Sequence, residues 1–128
     1  MKNIRHVVWI VMGVLVTPGN ALAENLEGAW RGAGSVILAT GSTEQATCRA
    51  HYTRRSNDAY AVRAVCATPS AKAEQTASLH RIAENTYRGT FYNRDYGVSG
   101  TILVTLNGKT HNVRLTSEAG SASLKFSR

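Results

Sequence analysis

Apolar and polar residues alternate along most of this chain, and a two-residue period leaves little room for anything but β-structure. Ala46, Cys48, Ala50 and Tyr52 are interleaved with Thr47, Arg49, His51 and Thr53. Tyr60, Val62, Ala64 and Cys66 repeat the pattern, and so do Ile102, Val104 and Leu106. Successive side chains of a strand point to opposite faces, so each series makes one apolar face and one polar face. Beyond the first 23 residues, no stretch of ten or more keeps apolar positions three and four apart, as an amphipathic helix requires.

Turn residues divide the alternation into eight segments. Strands are expected over about 30–39, 43–54, 59–67, 74–83, 86–92, 98–106, 109–116 and 122–126. Asn107-Gly108 is the strongest hairpin signal, read as the two central residues of a type I′ turn. Residues 71–83 have a rival reading: they are rich in Ala, Glu, Gln, Lys and Leu, which favour helix. Eight short strands in succession predict an all-β domain, a small eight-stranded antiparallel up-and-down barrel whose closure removes exposed edges. A two-sheet β-sandwich is the alternative. An outer-membrane barrel is disfavoured, because Arg49, Arg63, Arg81 and Arg114 would occupy candidate lipid-facing positions. The expected inward face carries Val36, Leu38, Ala50, Val62, Ala64, Ile102, Val104 and Leu124.

The two cysteines fit one hairpin of this scheme. Cys48 and Cys66 each lie nine residues from Asn57, so a turn centred there sets them opposite one another on one face. Directly opposed residues have Cα atoms about 4.5–5.5 Å apart, and disulfides accept about 4.4–6.8 Å. A Cys48–Cys66 bond is therefore expected, stabilising by about 3 kcal/mol through loop closure.

The N-terminus has the layout of an export signal. Lys2 and Arg5 precede an unbroken apolar run of ten residues, 7–16; Pro18-Gly19 and Ala21-Leu22-Ala23 follow. Cleavage is expected after Ala23, giving a signal peptide over 1–23 and a single barrel domain over 24–128. A membrane-spanning helix needs about 20 apolar residues, twice this run. No second long apolar stretch follows, so no transmembrane segment is expected in the mature chain. The expected location, periplasmic or secreted, is oxidising and suits the disulfide.

The full chain carries a net charge of +7, and loss of Lys2 and Arg5 leaves about +5. Arg31, Arg49, Arg54, Arg55, Arg63, Arg81, Arg88 and Arg94 are scattered and form no basic block. They read as a solvated surface, and no nucleic-acid partner is expected. Catalytic signals are equally sparse. His51, His80 and His111 fall on three different expected strands without a ligand at metal spacing, and are read as surface or rim residues. The acidic residues form no acid/base pair, no Ser stands in a G-x-S-x-G elbow, and Gly32-Ala33-Gly34 lacks the context of a phosphate loop. No catalytic residue, metal or cofactor is expected. Tyr87 and Phe91 share one face of their strand, leaving Tyr92 and Tyr96 for the other; with Arg88 and Arg94 these two form a candidate contact patch.

Gly28-Ala29-Trp30 resembles the Gly-x-Trp signature of lipocalin-type barrels. The resemblance implies that Trp30 closes one end of the barrel and that a late Arg, Arg114 or Arg128, packs over it. The size, the single disulfide and the Gly-x-Trp are also similar to small periplasmic inhibitors of bacterial metalloproteases, which act through an N-terminal trunk. Here only Glu24 to Glu27 would precede Gly28. Trp30-Arg31-Gly32-Ala33-Gly34, Cys48-Arg49-Ala50, Cys66-Ala67 and Val98-Ser99-Gly100 together resemble a group of small, uncharacterised exported proteins of alphaproteobacteria with a lipocalin-like barrel. The expected function is therefore non-enzymatic: a periplasmic binding or structural module for a small apolar ligand or an unidentified envelope protein, with protease inhibition as the alternative.

Overall fold

The computed structural model describes residues 25–128, and the expected signal segment, 1–23, lies outside them. Eight strands follow in order: β1 (Gly28–Leu38), β2 (Thr43–Ser56), β3 (Ala59–Ala67), β4 (Lys72–Ala83), β5 (Thr86–Asn93), β6 (Val98–Asn107), β7 (Thr110–Ser117) and β8 (Gly120–Ser127). Each pairs antiparallel with its successor, and β8 returns to β1 to close the barrel. The sheet is thus continuous rather than split into the two layers of a sandwich. Among the described residues there is no helix.

Residues 71–83 resolve as a strand despite their helix-favouring composition. β4 is paired along its length on both sides, with Cys66 opposite Ala73 and Ala77 opposite Phe91. Leaving it helical would strand the edges of β3 and β5, so tertiary pairing overrides local propensity. The Asn107-Gly108 turn is displaced by one residue from its expected position. Asn107 pairs with Thr110, so Gly108 and Lys109 are the central residues, and only Gly108 has positive φ, at 64°. That is the arrangement of a type II′ turn. The register that places Leu106 opposite His111, both buried, dictates the shift.

Two glycines permit the strands to approach as the sheet coils. A Cβ on Gly34 would fall 1.9 Å from the Ser123 carbonyl oxygen of β8, and one on Gly89 would fall 1.6 Å from that of Ser78 on β4. Any side chain there would push neighbouring backbones apart.

The expected inward face is observed except at Leu38, which is 39% exposed because it lies at the open mouth of the barrel. Ala50, Val62, Ile102, Val104 and Leu124 are buried, and Val36 and Ala64 pack against them. The outward positions carry Arg31, Arg49, Arg63, Arg88, Arg114 and Lys125, all exposed. The inward residues differ between the two ends of the barrel. At the end bearing the turns 57–58, 84–85 and 108–109, Trp30, Tyr52, Tyr60, Tyr87, Leu79 and Phe126 fill the interior. Toward the opposite end, with turns 39–42, 68–71, 94–97 and 118–119, the inward residues include Ala46, Ala73, Gly120 and Ala122. An eight-stranded barrel is just wide enough for its own side chains to fill it. Small residues at one end therefore leave that end hollow.

Candidate functional site

The closed end is built around Trp30. Its indole Nε1 donates to the Leu26 carbonyl at 2.8 Å, and Leu26 is itself fully buried. The Arg128 guanidinium lies 4.1 Å from the centre of the Trp30 ring, and also donates to the carbonyls of Glu27 and Asn25, the latter at 2.7 Å. Arg128, rather than Arg114, is the late arginine that lies over the Trp30 ring. Arg114 sits at an outward position of β7, opposite Leu103 and Ser123.

His111 departs from its expected surface position. It is fully buried, stacked on Phe126 with ring centres 5.0 Å apart and set edge-on to Trp30 at 4.3 Å. Its parity explains this: His111 shares the inward face of β7 with Val113 and Leu115. Its Nε2 lies 2.8 Å from the Tyr52 hydroxyl, while Nδ1 has no partner among the described residues. Burial, reinforced by the nearby Arg128 charge, lowers the ring's pKa from 6.5 to about 4, so it is neutral at physiological pH. Burial pushes the Tyr52 phenol above its ordinary value. His51 and His80 are exposed, as expected.

The opposite end opens into a cavity of about 540 Å³. Val36, Leu38, Ala46, Ala73, Phe91, Val98, Leu115, Ala122 and Leu124 give it apolar walls, and the Cys48–Cys66 disulfide forms part of one wall. The two cysteines pair directly across β2 and β3 with Cα atoms 4.1 Å apart, the register expected from a turn centred on Asn57. A smaller void of about 40 Å³ adjoins it toward the closed end; Gln75, Cys66, Phe91, Leu115 and Leu124 line both.

A few polar groups ring the mouth. Glu44 continues the inward series of Ala46, Cys48 and Ala50, and its carboxylate accepts from the Ser70 hydroxyl at 2.8 and 2.9 Å. The Thr68 and Ser70 hydroxyls hold the Glu44 carboxyl below the usual carboxylate range. Asn93 accepts from the Tyr96 backbone N–H at 3.3 Å. Outside the mouth, Glu74 pairs with Arg63 and, at 3.7 Å, with Arg94, while its backbone N–H donates to Asp95.

The candidate contact patch is divided between two places. Arg88 and Tyr92 lie on the outer face of β5, with Tyr92 47% exposed. Arg94 and Tyr96 lie in the following turn, and Tyr96, 58% exposed, also lines the cavity mouth. Sequence reasoning did not single out Glu44, Gln75 or the buried role of His111. The available signal was parity, since each of them occupies an inward position in its own strand. Among the described residues no cluster of three or more His, Cys, Asp or Glu is placed to hold a metal ion.

No protein-family model matches the chain, and no curated protein matches it. Solved structures do. A redesigned β-barrel, mFAP1, bound to DFHBI is 11% identical with a TM-score of 0.69, covering 80% of this chain and 94% of its own. A related redesigned barrel, mFAP0, also bound to DFHBI, is 11% identical with a TM-score of 0.68, covering 80% and 98%. A β-barrel designed de novo to activate fluorescence is 16% identical with a TM-score of 0.62, covering 80% and 92%. The likeness is one of fold: this chain is a closed eight-stranded antiparallel β-barrel.

Proposed function

We propose that this protein is an exported, non-enzymatic barrel that binds a small apolar ligand in the periplasm. The observation that carries the reading is the open, apolar cavity of about 540 Å³. Ligand sites typically fall in the range of about 300–1,000 Å³, with apolar walls and a few polar groups to orient the ligand. Two of the barrels of similar fold are described with DFHBI bound, which shows that this architecture can accommodate a small molecule. The disulfide supports an oxidising, non-cytoplasmic compartment, and the expected signal peptide supports export.

The packing of residues 25–27, just before β1, favours this reading over protease inhibition. An inhibitory trunk has to project, whereas Leu26 is buried and the carbonyls of Asn25 and Glu27 are bound by Arg128 at the closed end. A polarity-sensitive dye provides the test. Saturable fluorescence enhancement that decanol displaces, and that Ala73→Trp abolishes without unfolding the barrel, is the expected result. Enhancement that survives Ala73→Trp would locate binding elsewhere and overturn the reading.

A further inference from the structure

The cavity's polar groups carry a charge signature that its apolar walls do not. Glu44 stands at an inward position directly opposite Val36, the first member of an inward series that continues through Ala46, Cys48, Ala50 and Tyr52. Among the described residues it is the one charged side chain lining the cavity; no Lys, Arg or His does so. The chain as a whole is basic, so this is the reverse of what composition suggests. The difference arises because the basic residues occupy outward strand positions, turns or, as Arg54, Arg81 and Arg128 do, the closed end of the barrel. Of the basic residues at this end of the barrel, Arg94 pairs with Glu74, and Lys72, between the lining residues Ala71 and Ala73, stands at the outward position that alternates with Ala73 and Gln75.

We infer that the cavity selects amphiphiles with a cationic head, an apolar chain or ring carrying an amine or quaternary ammonium, and that Glu44 at the mouth receives that head. This rests on the proposed reading of the cavity as a ligand site. The Thr68 and Ser70 hydroxyls and the Ser70 backbone N–H orient the carboxylate, yet these neutral donors leave its negative charge uncompensated and fill at most three of its about four acceptor positions. Tyr96 adds an exposed aromatic ring at the same mouth, a surface that attracts ammonium groups. A fatty-acid-like anion would meet the Glu44 carboxylate with no cation among the residues lining the cavity to offset it.

The test compares three ligands of equal chain length below their micelle-forming concentrations: decyltrimethylammonium, decanol and decanoate. Each is titrated calorimetrically into the exported chain and into Glu44→Gln and Glu44→Lys. The wild type should bind the ammonium at least about fivefold more tightly than decanoate, the factor that one solvated charge pair at about 4 Å supplies. Glu44→Gln should bring all three within about twofold of decanol, and Glu44→Lys should favour decanoate. If decanol binds but the charged pair shows no preference, or if Glu44→Gln leaves the preference intact, the charge selection is wrong and the cavity reading stands. If none of the three binds, the cavity reading itself fails, and the selection with it. Circular dichroism of both variants establishes that the barrel is intact.

Discussion

Arg128, the last residue of the chain, holds its guanidinium 4.1 Å over the ring of Trp30, the third residue of the first strand. The contact joins the two ends of the folded sequence across the seam where β8 meets β1. It also caps the aromatic cluster of Trp30, Tyr52, His111 and Phe126 that seals one end of the barrel. The closed end is therefore where most of the packing lies, which leaves the other end free to be hollow.

Arg128→Ala removes a cation–π contact worth about 0.5–2 kcal/mol together with the donors to Asn25 and Glu27. Thermal unfolding followed by circular dichroism should show the melting temperature several degrees lower. Arg128→Lys keeps the charge but not the two-pronged donor, and should recover only part of the loss. Full recovery by Lys would mean that the carbonyl contacts contribute nothing.

His111 makes the fold sensitive to acid. Its value is 6.5 unfolded and about 4 folded. Above about pH 6.5 both states are neutral and stability does not depend on this group. As pH falls from there toward 4, the unfolded chain binds a proton that the buried ring does not accept. Stability is lost across that window, by up to about 3 kcal/mol. His111→Gln keeps a hydrogen-bonding atom near Tyr52 and removes the titration. It should be less stable at pH 7, by about 1–3 kcal/mol, with a shallower fall on acidification. Denaturant melts at pH 7, 5.5 and 4 would show an unchanged fall if the sensitivity arose elsewhere.

The Cys48–Cys66 bond staples β2 to β3 across a separation of 18 residues. Replacing both with Ala should cost about 3 kcal/mol in the chain-entropy model and should also loosen the wall the pair contributes to the cavity. Comparing melts of oxidised and reduced wild type gives the same answer without mutation. An unchanged melting temperature on reduction would contradict the staple.

Most of the barrel was legible because parity is a local property. The inward series from Ala46 to Tyr52 and from Tyr60 to Cys66 follows from alternation alone, and the disulfide follows from two such series meeting about Asn57. Other features depend on how all eight registers combine, and no single segment encodes that. Whether Arg114 or Arg128 reaches Trp30 depends on which late residue lies inside and at the right height. His111 looked like a surface residue because its sequence neighbours, Thr110 and Asn112, are polar, yet its parity with Val113 points it inward. The hairpin at Gly108 moved by one residue for the same reason, since burial of Leu106 and His111 outweighed the preference of Asn-Gly for the turn centre. The hollow end became visible only once Ala46, Ala73 and Ala122, from three different strands, were brought to one level.

Methyl NMR of the protein titrated with decanol tests the central claim, that the open end is a ligand site. Chemical-shift changes should saturate and concentrate on the inward methyls of Val36, Leu38, Ala46, Ala73, Leu115 and Ala122, leaving the exposed outer methyls of Val65 and Ile82 unmoved. Absence of shifts at the inward methyls, or saturable shifts confined to Val65 and Ile82, would contradict it.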